Sequence, residues 1–408
     1  MTSLALRLSI ALLAFILIGA NDGAFGVLLP GLRDHYHADK STISLLFLSG
    51  TLGYISAAVG SGPLVGRLGT RLFLMFGTGA FMLGAGVFSL MPPFPVGLLT
   101  TFLMGFGVAI IDAGLNAYIA ALPDNSTLLN LLHAFYGLGA LVGPIIATAF
   151  LLCGWGWNSV YALWVGVALL LFAGFGMFFG YRTSPDRRLP PEAESRQPPG
   201  PEALIGNVLA AALRLRVVWL TALFLMFYVG SEVSLGSWSY SLLTEERGRP
   251  QLLSGWAVSG FWLGLTAGRL ALAVLVKRLG NTRTIEICLL GVAAGMLAVW
   301  LVPATWVEVA GLGLTGFSLG PIFPTTIALT SQLVPARLLP GSIGFIAGFG
   351  SVGAALFPWL AGNIAQWFGL WLLMPYIIAL SAAMLAFWFV LPQVGQSPDA
   401  ATPMQPSQ

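Results

Sequence analysis

The sequence has few charged residues and almost no cysteine. Only 8% of its 408 residues are charged, against about 25% in an ordinary soluble domain, so a soluble globular protein is excluded. Cys153 and Cys288 both lie in apolar segments and provide neither a disulfide framework nor a metal-ligand cluster. A Walker loop, a zinc-ligand spacing and a G-x-S-x-G motif in a suitable context are also missing, which argues against an ATP-driven pump and a membrane hydrolase.

Hydrophobic residues make up 57% of the chain, and its mean hydropathy is +0.88. Apolar segments of about 20 residues, each long enough to cross a hydrocarbon core of about 30 Å as a helix, recur along it. They predict an all-α integral membrane protein with twelve transmembrane helices. The predicted spans are 6–30, 43–65, 72–91, 97–121, 127–152, 159–181, 217–243, 252–277, 284–302, 306–333, 339–366 and 370–392.

The positions of lysine and arginine predict the orientation. Placing both termini in the cytoplasm puts 13 of these residues on the cytoplasmic side and 4 on the other, with Arg269 inside the membrane, as the positive-inside rule favours. The first segment contains Asn21 and Asp22 and has no small-residue cleavage site, so we interpret it as a retained helix and not as a signal peptide. The expected location is the inner (plasma) membrane.

Two polar regions interrupt this pattern. Residues 182–216 are rich in proline and mixed charge, and they predict a cytoplasmic linker between two six-helix halves, 1–181 and 217–392. Residues 393–408 form a polar cytoplasmic tail. Neither region requires a function beyond tethering and solubility.

The two halves carry an internal repeat at a constant offset of 211 residues. The segments 64–69 and 275–280 share five of six residues, including Arg67 with Arg278 and Gly69 with Gly280. Such a repeat identifies a duplicated architecture. It predicts two pseudo-symmetric six-helix bundles, the arrangement of secondary transporters that rock about a site at the membrane midplane.

The chain resembles the major facilitator superfamily along its whole length. The loop GPLVGRLGTR, 62–71, is similar to the superfamily signature G-x-L-a-D-r-x-G-r-k, except that Gly66 stands where the motif has Asp. If that Asp locks one conformation by pairing across the halves, this protein must use another contact. Gating candidates are Arg67, Arg71, Arg269 and Arg278, with Arg269 close enough to Lys277 to extend toward the cytoplasmic surface.

Within the superfamily, residues 19–32 and 227–243 resemble the fucose permease and sodium-dependent glucose transporter group. In that group, acidic residues on the first and fourth helices are associated with sugar binding and ion coupling. The resemblance therefore implies such roles for Asp22 and Asp112. For Asp22, a structural hydrogen bond is the alternative.

Other polar residues in the apolar segments complete the set of candidates. Ionisable groups at membrane depth are costly, and they usually serve ions or substrates. His133 is a proton relay or a structurally hydrogen-bonded side chain, and both interpretations remain open. The substrate-binding candidates are Asn21, Asp22, Asn116, Tyr136, Glu232 and Trp238. The ion-coupling candidates are Asp112, Asp22, Glu232 and His133.

Together these features predict a monomeric, alternating-access transporter in the lipid bilayer, which is neither an enzyme nor a nucleic-acid-binding protein and uses no cofactor. The leading hypothesis is a symporter of a small polar solute such as a sugar, coupled to H⁺ in preference to Na⁺. The alternative is a proton-coupled antiporter that exports a drug, lipid or metabolite, because residues 139–148 resemble the antiporter motif G-x-x-x-G-P-x-x-G-G, with Ala147 and Thr148 in place of its final glycines.

Overall fold

The structure is a computed structural model that describes residues 3–123, 125–180, 210–335 and 337–395. In these residues the chain forms helices joined by short connections. The N-terminal half contains α1 (Ser3–Tyr36), α2 (Lys40–Ile43), α3 (Leu45–Ser89), α4 (Phe94–Ala120), α5 (Asn125–Leu152) and α6 (Trp157–Phe178). The C-terminal half contains α7 (Arg216–Ser241), α8 (Gln251–Leu301), α9 (Thr305–Leu319), α10 (Ile322–Leu333), α11 (Leu339–Phe368) and α12 (Leu373–Gly395). A π-helical turn, Leu242–Glu246, extends α7, and a 3₁₀ turn, Leu370–Leu372, precedes α12.

The predicted all-α membrane fold is confirmed. Eleven segments of the described residues are long and apolar enough to span a membrane. The predicted eighth helix, 252–277, forms the first part of α8. With it, the described residues contain twelve spans. Residues 182–209 of the predicted linker, 182–216, and residues 396–408 of the predicted tail, 393–408, lie outside the described residues.

Two long helices each contain two predicted spans. Gly69 interrupts α3 with φ 70° and ψ 160°, and Gly280 interrupts α8 with φ 77° and ψ 167°. A positive φ is strained for residues with a side chain, whereas glycine adopts it readily. Because 280 minus 69 equals the repeat offset of 211, the duplicated loops have the same backbone geometry in both halves.

The predicted tenth helix, 306–333, is divided. It consists of α9 and α10, separated by a turn at Gly320 and Pro321. Proline lacks the backbone N–H for an intrahelical hydrogen bond, and its ring clashes with the preceding turn. The intrahelical hydrogen-bond pattern is interrupted there, while Gly320 and Pro321 keep helical dihedral angles and the span continues from Thr305 to Leu333.

The helices pack within each half and also across the interface between the halves. In the N-terminal half α1 packs on α5 and α3 on α4, and in the C-terminal half α7 packs on α11 and α8 on α9. The halves meet where α1 contacts α7, α5 contacts α8, and α3 contacts α11. The last two contacts are related by the repeat, as expected for two pseudo-symmetric bundles.

Candidate functional site

Glycines bring α1 and α5 into close contact. A side chain added at Gly19 or Gly23 would collide with the backbone of α5, and one at Gly139 or Gly143 with the backbone of α1. Small residues permit such close approach of membrane helices, which associate through packing. This contact explains the helix-five glycines that also suggested an antiporter motif, and it brings α5 side chains next to Asp22.

The first carboxylate of the site belongs to Asp22 on α1. The Tyr136 hydroxyl of α5 donates to Asp22 Oδ2 at 3.1 Å, and Asn21 Nδ2 donates to Asp22 Oδ1 at 3.3 Å. The Asp22 side chain is exposed although its helix is in the bundle interior. It therefore faces a space that water can enter.

The second carboxylate belongs to Asp112 on α4. Tyr54 of α3 donates its hydroxyl to Asp112 Oδ2 at 2.9 Å, and Asn116 Nδ2 donates to Oδ1 at 2.7 Å and to the Asp112 carbonyl oxygen at 2.9 Å. Glycine packing sets this arrangement too, because a side chain at Gly53 or Gly105 would collide with the backbone of the facing helix. Asp112 is thus held by donors on two helices.

Tyr54 was missed by sequence reasoning. Its hydroxyl is the only cross-helix donor to Asp112 among the described residues. A tyrosine in an apolar segment gives no strong sequence signal, and its repeat counterpart is Leu265. Only the packing of α3 on α4 reveals the contact.

His133 extends the site along α5. Its imidazole is exposed, and it packs edge-on against Phe15 of α1 with ring centroids 5.5 Å apart. It interacts electrostatically with Asp112 and with Arg269. His133 therefore lies between the acidic groups of the N-terminal half and the cation of the C-terminal half.

The C-terminal half contributes an ion pair. Arg269 Nη2 of α8 lies 3.5 Å from Glu232 Oε1 of α7. The Tyr228 hydroxyl is buried next to this pair and interacts electrostatically with both charges, but it has no hydrogen-bond partner of acceptable geometry among the described residues. Arg269, a gating candidate, therefore has a carboxylate partner on the neighbouring helix, and its side chain is 32% exposed.

These groups form one cluster between the halves. Asp22 interacts electrostatically with Asp112, and Tyr136 interacts with both Glu232 and Arg269. Helices α5 and α8 pack closely at this point, because a side chain at Gly137 of α5 would collide with Thr266 of α8, one turn from Arg269. This packing brings the polar groups of the two halves together. We name this cluster the central polar site and define it as Asp22, Asp112, His133, Tyr136, Glu232 and Arg269.

Several other candidates lie away from the central polar site. Trp238 is fully buried, its indole N–H donates to the Pro358 carbonyl at 3.0 Å, and its ring packs near Phe47. Arg67 and Arg278 are exposed beside the two kinks, and Arg71 is partly buried. Trp238 therefore supports packing between the halves and does not face the central polar site.

Contacts between the halves close one end of the bundle. Arg33 Nη1 of α1 donates to both carboxylate oxygens of Glu245 at 2.7 and 2.8 Å, and Lys40 Nζ lies 3.6 Å from the same carboxylate. The Lys40 amide also donates to Gln366 Oε1 at 2.9 Å. We call this the closed end.

A short N-terminal cap positions Lys40 at the closed end. Asp39 Oδ1 accepts the Thr42 amide at 2.6 Å, and this hydrogen bond lowers the pKa of the Asp39 carboxyl. Carboxylates at the first turn of a helix satisfy backbone donors that have no partner within the helix. The cap therefore holds α2 where Lys40 reaches Glu245.

Comparison with known proteins identifies the family. A profile described as Major Facilitator Superfamily matches residues 11–255 and 235–407. The chain belongs to the major facilitator superfamily. The resemblance predicted from the sequence is confirmed, and the family is one of membrane transporters for small molecules and not of enzymes.

Three curated relatives in this superfamily align along most of the chain. "Bypass of stop codon protein 6" of Saccharomyces cerevisiae is 26% identical over 90% of this chain and 78% of its own. The "Glucose/mannose transporter GlcP" of Bacillus subtilis is 20% identical over 85% of each chain. The "3-(3-hydroxy-phenyl)propionate transporter" of Escherichia coli is 26% identical over 88% of this chain and 87% of its own.

A solved structure supports the superfamily fold. The crystal structure of a D-xylose-proton symporter superposes with a TM-score of 0.77 at 15% sequence identity, covering 97% of this chain and 100% of that one. The chain therefore has the fold of that structure along almost its whole length. Among its described residues, no group of three His, Cys, Asp or Glu side chains converges as a metal site.

Proposed function

We propose that this chain is a proton-coupled symporter of a small uncharged polar solute, with sugars as the first class to test. The observation that carries the proposal is Asp112, a carboxylate inside the membrane that Tyr54 and Asn116 hold in place. Because a membrane-embedded carboxylate is costly, such residues usually serve ions or substrate.

The charge of the central polar site favours an uncharged solute. It contains three carboxylates, those of Asp22, Asp112 and Glu232, and one guanidinium, that of Arg269. An anionic substrate such as an aromatic acid would meet net repulsion in a medium where charges are poorly screened. Hydroxyl groups of a sugar, in contrast, can donate to carboxylates and accept from tyrosine. The name of the Bacillus subtilis relative, a glucose/mannose transporter, supports this class.

The hydrogen bonds of Asp112 favour H⁺ over Na⁺. Sodium requires several oxygen atoms converging on one point, but Asn116 presents its amide nitrogen to Asp112 and also to the Asp112 carbonyl oxygen. The amide orientation is set by these two acceptors. Tyr54 likewise presents a hydroxyl donor. These donors stabilise the ionised carboxylate, so protonation of Asp112 would require one of these hydrogen bonds to break or reorient.

The closed end supports alternating access. With the predicted topology, Arg33, Lys40 and Glu245 lie on the extracellular side, and the central polar site opens to the cytoplasm. Transport would then require the contacts at the closed end to separate while the opposite end closes. The antiporter alternative loses its sequence support, since Gly139 and Gly143 serve the packing of α5 on α1.

The test is uptake of D-glucose and D-xylose into proteoliposomes at zero membrane potential. We expect accumulation with an imposed proton gradient and none with an imposed Na⁺ gradient. The Asp112→Asn variant mimics the protonated carboxyl, so it should retain substrate exchange and lose proton-driven accumulation. Glu246→Gln, which alters an exposed acid, is the matched control.

Three outcomes would contradict the proposal. Uptake that follows Na⁺ and ignores pH would assign the coupling to sodium. Accumulation by Asp112→Asn under a proton gradient would exclude Asp112 as the coupling group. Proton-driven efflux with no uptake would favour the antiporter.

A further inference from the structure

The segment that joins α7 to α8 has charged side chains that contact both halves. Glu245 accepts two hydrogen bonds from Arg33 of the N-terminal half, at the closed end. Arg247 and Arg249, two and four residues later, both contact Glu308 of the C-terminal half. One short segment therefore carries the acid that joins the halves and two cations that fix the segment to its own half.

The partner of these two cations is a buried acid. Glu308 lies in the first turn of α9, and 1% of its side chain is exposed. Arg249 donates to it through two nitrogens, Nε to Oε2 at 2.7 Å and Nη2 to Oε1 at 3.0 Å, and Arg247 Nη1 lies 3.6 Å from Oε1. Such two-pronged contacts between guanidinium and carboxylate fix geometry as well as charge. We call these three residues the Glu308 clamp.

The two arginines also bind the end of α8 and the link that follows it. Arg247 Nη2 donates to the carbonyls of Val299 and Trp300 at 3.2 and 3.3 Å, and Arg249 Nη2 donates to the Pro303 carbonyl at 2.8 Å. The last carbonyls of a helix have no partner within the helix, so these hydrogen bonds satisfy them. The clamp therefore joins the α7 to α8 segment to both α8 and α9.

The backbone between the closed end and the clamp has an unusual geometry. Leu242–Glu246 is a π-helical turn, and Gly248 has φ 60°. Turns of π-helix are rare and are often found at functional sites. The Arg249 amide donates to the Leu243 carbonyl at 2.8 Å, which holds the two ends of this segment together. The direction of Glu245 is thus set by a turn whose far end the clamp fixes.

We propose that Glu308 is a positioning residue for the closed end. Its clamp holds the turn so that the Glu245 carboxylate faces Arg33. The Glu245 side chain is 30% exposed, so water competes for it once its direction is free. Exposed ion pairs contribute little because ordering two side chains costs conformational entropy. A clamp that orders the acid in advance reduces this cost, as preorganisation does in binding.

This inference rests on the proposed function, since the closed end acts as a gate only in a transporter with alternating access. The test measures opening of the closed end by alkylation of Ser237→Cys in a Cys153→Ser background. Ser237 is buried on α7 and faces Gly26 of α1, so the reaction requires the halves to separate there. Glu245→Gln should raise the rate roughly two- to five-fold, as loss of a partly exposed pair predicts. Glu308→Gln should raise it by a similar factor.

The double variant Glu308→Gln/Glu245→Gln separates positioning from a general effect on stability. If Glu308 acts through Glu245, the double variant should react no faster than Glu245→Gln alone, because changes that remove the same interaction are not additive. A rate that rises by the product of the two single factors would overturn the inference. An unchanged rate in Glu308→Gln would overturn it as well.

A milder variant and a control address folding. Arg249→Gln leaves Arg247 in contact with Glu308, and it should show the same rise in rate and the same lack of additivity with Glu245→Gln. Tyr376→Phe removes a hydrogen bond to the Phe357 carbonyl inside the C-terminal half, and it should leave the rate unchanged. A rise in Tyr376→Phe as large as that in Arg249→Gln would assign the effect to general disturbance of this half and overturn the inference.

Alkylation requires neither a substrate nor an ion gradient, so the experiment separates this inference from the proposed function. Failure of sugar uptake or of proton coupling would contradict the proposed function and leave the expected alkylation rates as they are. Additive effects of Glu308→Gln and Glu245→Gln would overturn the positioning role even if D-glucose uptake is driven by protons.

Discussion

The two halves have the same backbone plan but different polar chemistry. In the N-terminal half, Asp22 and Asp112 each accept a hydrogen bond from a tyrosine hydroxyl. In the C-terminal half, the acid Glu232 pairs with Arg269. The repeat places Phe323 opposite Asp112 and Gly344 opposite His133. One half thus holds carboxylates without a lysine or arginine partner of their own, and the other holds a pair that is neutral in sum.

The difference separates two roles that a duplicated transporter must fulfil. A carboxylate held by neutral donors can bind a proton or contact a hydroxyl without breaking an ion pair. A carboxylate paired with arginine must first separate from this charged partner before it can do either. The separation costs free energy where little water is present to solvate the two charges. We therefore expect the N-terminal half to supply the carboxylates that bind protons or substrate hydroxyls. We expect the C-terminal half to supply an ion pair that stays intact and has no net charge.

The largest expected effect is on stability of the C-terminal pair. Glu232→Gln leaves Arg269 without its counter-ion, so the free energy of unfolding should fall, by an amount between the roughly 1 kcal/mol of an exposed pair and the roughly 3–5 kcal/mol of a buried one. Glu232 is 11% exposed and Arg269 is 32% exposed, so we expect a fall of about 3 kcal/mol, near the middle of that range. Thermal unfolding in detergent measures the change.

The double variant Glu232→Gln/Arg269→Gln should recover most of the lost stability, because it removes both charges. Asp22→Asn, in the N-terminal half, should change the unfolding temperature little. If Asp22→Asn lowered the unfolding temperature as much as Glu232→Gln, the proposed difference in polar chemistry between the two halves would be wrong.

The next effect concerns the donor to Asp112. Tyr54→Phe removes the cross-helix hydrogen bond to this carboxylate, and a hydrogen bond to a charged group contributes roughly 1.5–3 kcal/mol. Proton-driven uptake should therefore fall roughly 10- to 100-fold, while the ring still packs. Initial rates in proteoliposomes measure the change, with Tyr118→Phe on α4 as the control.

A double-mutant cycle shows whether Tyr54 acts through Asp112. Groups that act together have non-additive effects. In the Asp112→Asn variant, which should retain exchange, the addition of Tyr54→Phe should therefore leave exchange almost unchanged. Full additivity would show that Tyr54 acts elsewhere and that the acid of the N-terminal half does not depend on it.

The smallest effect is at the closed end, where the halves meet. Glu245→Gln weakens the contacts with Arg33 and Lys40, which are 19% and 18% exposed, and such pairs contribute roughly 0.2–1 kcal/mol each. The open fraction of this end should rise by a factor of a few. Alkylation of Ser237→Cys, a buried α7 position that faces Gly26 of α1, measures it in a Cys153→Ser background.

High salt should reduce the difference in alkylation rate between the Glu245→Gln variant and the protein with Glu245, because salt screens exposed ion pairs. Glu246→Gln is the neighbouring control. An alkylation rate that Glu245→Gln leaves unchanged would mean that close packing between the halves, and not the ion pair, keeps this end closed.

Local sequence signals predicted most of the fold. Long apolar segments require helices because backbone groups in lipid must be satisfied internally. The recurrence of Gly69 as Gly280 predicted equivalent loops in the two halves. In the structure both glycines have a positive φ and nearly the same backbone dihedral angles. The division of the tenth span at Gly320 and Pro321 was not predicted, since Pro30, Pro144 and Pro358 lie inside continuous helices and a proline alone does not mark a break.

The partners of the candidate residues were not predictable in the same way. Arg269 is 37 residues from Glu232, and Tyr54 is 58 residues from Asp112. Such contacts depend on which faces of separate helices meet. Trp238 illustrates the same limit, since composition made it available to a substrate while packing placed its N–H on the Pro358 carbonyl.

The sequence by itself determined the membrane setting, the helices, the duplication and the candidate acids within the membrane, because hydropathy, charge and period are properties of short segments. Only the tertiary structure decided which acid is paired, which is held by tyrosine, and which end of the bundle is closed. The reason is physical: ion pairs and hydrogen bonds act over a few ångströms, so they depend on the packing of distant segments and leave no pattern along the chain.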